Sequence, residues 1–264
     1  MTWIEALILG LLQGLTEFLP VSSSGHLELG GVLFGLQNPD EFFTFNVVVH
    51  GATFLSVLVV FRRDIRDIIV NLLTFTWNAE TKFAMLLIIS AIPVALVGLL
   101  FEEKIEALFQ GRIVFVGCML LVTAGLLFST RFAQAGGKDL DIKRALLIGI
   151  AQTIAVLPGI SRSGATISTA LLLGVEKPKA VRFSFLMVLI PIFGANFLKI
   201  LSMSSGNDMV VAETAPLVIG ALAAFVAGLA ACKWMIGIVS KGKIEYFSIY
   251  CLMVGLTAIA AGLL

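Results

Sequence analysis

Charged residues make up only 13% of this 264-residue chain, against about 25% in ordinary soluble domains. Its basic and acidic residues differ by a single net charge, which argues against a nucleic-acid partner. Its three cysteines, Cys118, Cys232 and Cys251, lie inside apolar runs, so we interpret them as small core residues rather than disulfide or metal ligands. Hydrophobic residues, in contrast, reach 59% with a mean hydropathy of +1.04. This excess predicts an all-α, polytopic membrane protein.

The apolar residues are grouped in segments of membrane-spanning length. A bilayer core about 30 Å thick is crossed by about 20 apolar residues in a helix. Six segments satisfy this requirement and are predicted to be full spans: 41–61, 82–101, 112–130, 183–203, 214–235 and 244–263. The stretch 64–77 is too short to cross, and we expect it to form an interfacial or partial helix.

Two further apolar regions are interrupted by polar loops. The region 3–35 contains the loop 20–26, with the sequence PVSSSGH, and the region 144–175 contains the loop 158–164, with the sequence PGISRSG. Non-helical backbone is tolerated at membrane depth only where protein or a wet cavity surrounds it. We therefore predict two re-entrant helical hairpins.

The two interrupted regions resemble each other in sequence. A shift of 139 residues aligns Gly10 with Gly149, and it aligns further identical pairs: Gln13 with Gln152, Ser22 with Ser161, Ser24 with Ser163, Gly25 with Gly164 and Gly35 with Gly174. Internal repeats of this kind are typical of transporter-like membrane folds. We predict one membrane domain built from two repeats, residues 1–135 and 138–264, each with one hairpin and three spans.

Topology follows from the number of crossings. Three spans per repeat is an odd number, so the second repeat is expected to be inverted relative to the first. Fourteen of the 18 lysines and arginines fall in loops opposite the termini and three on the terminal side, with Arg162 inside a hairpin. The positive-inside rule then predicts that both termini are extracytoplasmic.

The interrupted loops carry ionisable and hydroxyl groups, which are functional by default inside a membrane. Arg162 offers a permanent charge suited to phosphate, and two helix N-termini add free N–H groups. The predicted substrate-binding residues are Ser22, Ser24, Gly25, Ser161, Ser163, Gly164 and Thr166. Gln13 and Glu17 lie four residues apart on one helix face, and their oxygens suit a divalent cation, Mg²⁺ or Ca²⁺, shared with substrate phosphates.

A nucleophile is also present. Ser23 needs a base, and His26, oriented by Glu17, is the expected one, while attack by His26 itself or by a metal-activated water stays open. Other interpretations are open for single residues. Ser22 and Ser24 are expected to cap the short helix, Arg162 has a second interpretation as a structural partner of Glu17, and His50 is expected to be a hydrogen-bonded packing residue near Asn46.

The two loop sequences resemble known signatures. Residues 13–26, QGLTEFLPVSSSGH, resemble the first signature of the undecaprenyl-diphosphate phosphatase (bacitracin-resistance) family, and residues 158–166, PGISRSGAT, resemble the second. The resemblance implies a bacterial inner-membrane hydrolase that needs a divalent cation and recycles the lipid carrier of cell-wall synthesis. It places the proposed nucleophile on Ser23, the family histidine on His26 and a phosphate clamp on Ser161, Arg162, Ser163 and Thr166. Gln13 stands where the family has either Glu or Gln.

These observations lead to two functional hypotheses. The first is hydrolysis of undecaprenyl diphosphate, with the active site open to the outer face and with the polyprenyl lipid and the membrane as partners. The alternative is a secondary transporter or lipid flippase that uses the same anion site, since broken helices meeting at the midplane occur in transporters. The Ser23, His26 and Glu17 set favours the enzyme. Whether the chain forms a homo-oligomer stays open.

Overall fold

The computed structural model describes residues 1–36, 38–74, 76–101, 112–133, 136–194, 214–242 and 244–263, and in these ranges the regular structure is helical. The first half of the chain contains α1 Trp3–Phe18, α2 Ser23–Leu33, α3 Pro39–Val60, α4 Arg62–Leu73, α5 Ala79–Leu100 and α6 Ile113–Ser129, which continues as a short 3₁₀ turn, Thr130–Phe132. The second half contains α7 Ile142–Ile154, α8 Arg162–Leu172, α9 Lys177–Met187, α10 Thr214–Ser240 and α11 Tyr246–Leu263. The predicted all-α class is therefore confirmed.

Five helices within the described ranges are long and apolar enough to cross a membrane, namely Glu41–Val60, Ala79–Leu100, Ile113–Phe132, Thr214–Val239 and Tyr246–Leu263. They match five of the six predicted spans. The sixth, 183–203, begins in α9, which ends at Met187, and helix resumes after a turn at Val188 over residues 189–194. The remainder of this predicted span lies outside the described residues.

The helix α4 accounts for the segment that was predicted to be too short to span. It has 12 residues, about 18 Å at 1.5 Å per residue, which is well short of a bilayer core. None of its residues is buried. Its exposed apolar side chains Ile69, Val70, Leu72 and Leu73 follow a charged first half, so the helix is amphipathic along its length as well as around it.

Polar residues face inward and apolar residues face outward in much of the helical assembly. Gln13, Gln152, Ser90 and Ser168 have no exposed surface, whereas Leu99, Leu100 and Leu222 are more than half exposed. In water this arrangement would forfeit much of the hydrophobic stabilisation. In lipid it is favourable, because the outer side chains lie in hydrocarbon and the polar groups are shielded from it. The chain is a multi-pass membrane protein.

Both interrupted regions are pairs of short helices with a break at the predicted loop. The first break lies between Phe18 and Ser23, and the second lies between Ile154 and Arg162. The helices before the breaks pack across the molecule, since α1 lies along α10 and α7 lies along α5. Helices from the two halves of the chain are therefore packed against each other.

Two glycines allow the crossed packing. A Cβ atom on Gly10 of α1 would collide with the carbonyl oxygen of Gly220 in α10. A Cβ atom on Gly149 of α7 would collide with the carbonyl oxygen of Ser90 in α5. Backbone cannot retreat as a flexible side chain can, so both contacts require glycine.

Gly10→Ala and Gly149→Ala are each expected to destabilise the protein by about 1–3 kcal/mol, the usual range for overpacking. The matched control is Gly98→Ala in α5, where a Cβ atom meets nothing within 4 Å. Thermal unfolding in detergent measures the effect. Equal unfolding temperatures for Gly10→Ala and the control would contradict the close approach.

Candidate active site

The two helix breaks meet. Ser163 at the start of α8 donates a 3.2 Å hydrogen bond to the carbonyl oxygen of Leu19 in the first break. Arg162, the first residue of α8, reaches Glu17 near the end of α1, with Nη2 2.8 Å from Oε1. The expected convergence of the two loops is therefore present, and residues 145 positions apart form one site.

Glu17 is the centre of this cluster, and its side chain is only 6% exposed. One carboxylate oxygen, Oε1, accepts from Arg162. The other, Oε2, accepts from the Ser23 hydroxyl at 2.5 Å and from the Gln13 side-chain amide at 2.9 Å. A guanidinium and two neutral donors thus compensate a carboxylate that is otherwise costly to bury.

Serines cap the two helices that begin at the breaks. The Ser22 hydroxyl accepts from the Gly25 N–H at 3.3 Å, and the Ser161 hydroxyl accepts from the Gly164 N–H at 3.0 Å. The two contacts are related by the 139-residue shift. The predicted capping role of Ser22 is confirmed, while Ser24 lies 3.4 Å from the Ser22 hydroxyl oxygen rather than capping the helix itself.

The backbone differs at these equivalent caps. Ser22 has φ 69°, and among the described residues it is the one non-glycine with a positive φ. Ser161 makes the same capping bond with φ −73°. Capping therefore does not require the left-handed conformation, which costs free energy for a residue with a Cβ atom. The residues that follow the two caps, Ser23 and Arg162, both contact Glu17, the first after a strained backbone and the second after an ordinary one.

His26 is directed away from Glu17. Its Nδ1 lies 2.8 Å from the Ser22 carbonyl oxygen and its Nε2 lies 2.8 Å from the Tyr250 hydroxyl in α11. A carbonyl only accepts, so Nδ1 carries a proton, and in the neutral ring Nε2 accepts from Tyr250. The expected orientation of His26 by Glu17 is therefore not found, because the Ser22 carbonyl one helical turn earlier holds the ring. Its catalytic role stays a prediction.

His50 approaches Glu17 instead. Its Nδ1 lies 2.8 Å from the Asn46 carbonyl oxygen, and its Nε2 lies 3.7 Å from Glu17 Oε2. The expected hydrogen bond to Asn46 is confirmed, but the sequence interpretation missed the second neighbour. The sequence could have indicated this, because His50 is an ionisable residue within an apolar span, and such residues are functional by default.

A small cleft opens beside the cluster. Its polar lining consists of Glu17, Thr53, Gln152, Arg162, Ser163, Thr166 and Ser184. Its apolar lining consists of Phe18, Val57, Phe185, Val188 and Ile192. Of the predicted site residues, Glu17, Arg162, Ser163 and Thr166 line the cleft, and Gln13, Ser23 and His26 are not among its lining residues. The remaining five lie at the helix starts around it: Ser22, Ser24, Gly25, Ser161 and Gly164. Thr53, Gln152 and Ser184 were not predicted.

Aromatic packing fixes the wall of the cleft. The Phe185 ring makes edge contacts with Phe18, at 5.7 Å between centroids, and with Phe61, at 5.9 Å. Phe18 follows Glu17 in sequence, and Phe185 follows Ser184. The three rings are nearly fully buried, so they hold both polar neighbours in place through the backbone.

The predicted cation ligands suit a hard cation. Gln13 Oε1 is buried and has no hydrogen-bond partner among the described residues, while Gln13 Nε2 binds Glu17. In the part of the chain that the structure describes, no three His, Cys, Asp or Glu side chains form a metal-binding group. Mg²⁺ is commonly bound through one or two carboxylates while substrate phosphates and water supply further ligands. The Glu17 carboxylate together with the unpaired Gln13 oxygen therefore fits the expected cation.

Fold and site together define a class: a multi-pass membrane protein with a buried carboxylate, serine and arginine cluster where two helix N-termini meet. Residues 6–257 match the family model "Bacitracin resistance protein BacA". The chain belongs to this family.

Curated relatives are similar to this chain over nearly their full length. A protein of Christiangramia forsetii named "Undecaprenyl-diphosphatase" is 54% identical over 97% of this chain and 96% of the relative. One of Parabacteroides distasonis with the same name is 50% identical over 100% of both chains. One of Korarchaeum cryptofilum, also so named, is 40% identical over 97% of this chain and 98% of its own.

The ion pair is the basis of a stability prediction. Arg162→Met leaves the Glu17 carboxylate without its cation, and unfolding free energy is expected to fall by about 1–3 kcal/mol, the cost of leaving a buried group unpaired. Adding Glu17→Gln removes the stranded charge, so the double variant is expected to regain part of the loss. Thermal unfolding of both single variants and the double variant in detergent measures the coupling. Strictly additive losses would mean that the two side chains do not interact.

Proposed function

We propose that this chain is an undecaprenyl-diphosphatase: it hydrolyses undecaprenyl diphosphate to undecaprenyl phosphate and inorganic phosphate. The observation that carries the proposal is the hydrogen bond from the Ser23 hydroxyl to Glu17, with Arg162 on the other carboxylate oxygen. The reaction returns the lipid carrier to cell-wall synthesis and supports bacitracin resistance. It belongs to a multi-pass protein of the bacterial inner membrane whose partners are the polyprenyl diphosphate lipid and the surrounding bilayer.

Binding relies on charge and on helix starts. The Arg162 guanidinium has five N–H donors in a planar fork, and its one side-chain hydrogen bond within the described chain is to Glu17. Its remaining donors are suited to phosphate oxygens in the cleft that it lines. Ser161, Ser163, Thr166 and Gly164 frame the start of α8, and Ser22, Ser24 and Gly25 frame that of α2, where free N–H groups attract anions.

In the first chemical step, Ser23 Oγ attacks the terminal phosphorus. The Oγ–P bond forms, the bond from that phosphorus to the bridging oxygen breaks, and undecaprenyl phosphate leaves. The Ser23 proton passes to Glu17, whose Oε2 already accepts it at 2.5 Å, and Glu17 returns it to the departing phosphate oxygen. Arg162 stabilises the charge that builds on the phosphoryl oxygens.

In the second step, water attacks the phosphoserine. The new P–O bond replaces the P–Oγ bond, inorganic phosphate leaves, and Glu17 takes the proton of the water and passes it to Ser23. Glu17 is the base in this scheme because it contacts Ser23, whereas His26 bonds to Ser22 and Tyr250. Direct attack by His26 or by an activated water are the alternatives that the serine variant tests.

Glu17 and Gln13 would hold the divalent cation, Mg²⁺ or Ca²⁺. When bound, such a cation supplies neutralisation of phosphate charge and orientation of the diphosphate. Ser23 remains the nucleophile and Glu17 remains the group that transfers the proton.

We also propose the inverted-repeat topology, with repeats 1–135 and 138–264. Support comes from the equivalent caps of Ser22 and Ser161 and from the crossed packing of α1 on α10 and of α7 on α5. In this topology α1–α2 and α7–α8 are re-entrant hairpins that enter from opposite faces. Both termini are extracytoplasmic, and the site opens to the outer face, from which the first hairpin enters.

A transporter or flippase function for the same anion site is not favoured. Transport needs a clamp for the anion, but it does not need a serine held on a carboxylate. The family and its curated relatives agree with a phosphatase.

Ser23→Ala is expected to lower phosphate release from a prenyl diphosphate by about 10³-fold or more, since loss of a nucleophile removes the covalent route. The measurement is phosphate release in detergent, together with acid-quench trapping of labelled phosphoserine in the unaltered protein. The matched control is Ser248→Ala in α11, whose hydroxyl donates to the Glu245 carbonyl oxygen. Turnover of Ser23→Ala within about tenfold of the parent would assign the attack to His26 or water.

Chelation is expected to stop turnover if Gln13 and Glu17 hold a cation with the substrate. Activity is measured after treatment with EDTA and after addition of Mg²⁺ or Ca²⁺, with choline salts of equal ionic strength as the control. Full activity of the metal-free protein would contradict the assignment of the cation to Gln13 and Glu17.

A further inference from the structure

Gln152 is the least expected residue of the cleft. It lies in α7 with no exposed surface, it lines the cleft, and neither atom of its side-chain amide has a hydrogen-bond partner among the described residues. Buried polar groups are nearly always paired in native structures, so an unpaired amide facing a cleft needs an explanation. Binding of a ligand that enters the cleft provides one.

The comparison with the first repeat explains why Gln152 has no internal partner. Gln13, its equivalent at a shift of 139, donates to Glu17 four residues later. The residue four after Gln152 is Val156, beyond the end of α7 at Ile154. The second repeat has retained the glutamine without the carboxylate, so its amide N–H groups are available to a ligand.

Ser184 in α9 is a second buried cleft residue whose polar group is unpaired among the described residues. It lies in α9, it is 3% exposed, it lines the same cleft, and its hydroxyl has no hydrogen-bond partner in the described ranges. Gln152 and Ser184 thus present neutral donors from α7 and α9 to a cleft that also contains Arg162. Neutral donors of this type bind phosphate oxygens without adding charge.

The surroundings of Ser184 identify which phosphate is involved. Phe185, Val188 and Ile192 follow it in sequence and are three of the five apolar residues that line the cleft, the others being Phe18 of α1 and Val57 of α3. An apolar wall suits the prenyl chain of the substrate, whereas the nucleophile and its carboxylate come from α1 and α2. The phosphate nearest the prenyl chain is therefore expected on the side of Ser184, and the attacked phosphate on the side of Ser23.

We propose that Gln152 and Ser184 bind the lipid-linked phosphate, the one that stays on the product. The inference rests on the proposed phosphatase function, because it assigns the second phosphate of the same substrate. The two residues contact a phosphate present before and after cleavage, so we expect their main effect on binding of substrate and product.

The test compares Gln152→Leu and Ser184→Ala with Ser168→Ala. Ser168 is the matched control, since its hydroxyl is also fully buried and unpaired among the described residues, but it does not line the cleft. The measurements are kcat and KM on a prenyl diphosphate, and inhibition constants of the prenyl monophosphate and of inorganic phosphate.

Each cleft variant is expected to raise KM and the prenyl monophosphate inhibition constant together, by about tenfold, because both ligands carry the contacted phosphate. The kcat and the inhibition constant of inorganic phosphate are expected to stay within about twofold of the parent values. Ser168→Ala is expected to change neither KM nor the prenyl monophosphate inhibition constant. An unchanged monophosphate constant, or a loss confined to kcat, overturns the proposal. If Gln152→Leu does not fold, Ser184→Ala alone decides.

The same set separates this inference from the proposed function. A parent protein that releases no phosphate from a prenyl diphosphate contradicts the proposed function. The binding site is then tested by direct titration with the diphosphate and the monophosphate, in which Ser184→Ala must still weaken both. An active parent with unaltered constants in both cleft variants contradicts the inference alone.

Discussion

The ion pair between Glu17 and Arg162 is the interaction on which the rest of the site depends. It joins α1 to α8 across the meeting point of two broken helices. A carboxylate in this setting is stable only while cations and donors compensate it, and those come from α1, α2 and α8 together. The pair thereby fixes the position of the Ser23 hydroxyl, the start of α8 and the wall of the cleft. The second interpretation of Arg162, as a partner of Glu17, is confirmed by the ion pair. The same guanidinium retains donors for an anion.

The two interrupted regions share a plan and differ in the side chains that they carry. Both have a glutamine in the first short helix and a capping serine at the start of the second. In the first region, the carboxylate four residues after Gln13 accepts from the serine that follows the cap. In the second, the position after the cap is Arg162, and Gln152 has no carboxylate four residues later. Similar sequences thus place a serine hydroxyl on one side of Glu17 and a guanidinium on the other.

Much of the fold was predictable from the sequence because the bilayer imposes simple length and polarity rules. Five spans and both helix breaks lie where apolar length and the Gly, Pro and Ser loops indicate. The partners of the histidines were not predictable in this way. His26 is near Ser23 in sequence, but the Ser22 carbonyl and the distant Tyr250 hold its ring. His50 lies in a different span and reaches Glu17 only through packing of α3. Such contacts depend on side-chain rotation and on how helices pack, which residue spacing does not encode.

The bond between His26 and Tyr250 spans almost the entire chain, since 224 positions separate the two residues. Helix α11 is synthesised long after α2, and it supplies the hydroxyl that anchors the His26 ring. Until α11 is inserted, the first helix break lacks this anchor, and until α8 is made it also lacks Arg162. The Ser23 hydroxyl is therefore synthesised well before its surroundings are complete. A chain that stops before α11 lacks the contact between Tyr250 and His26.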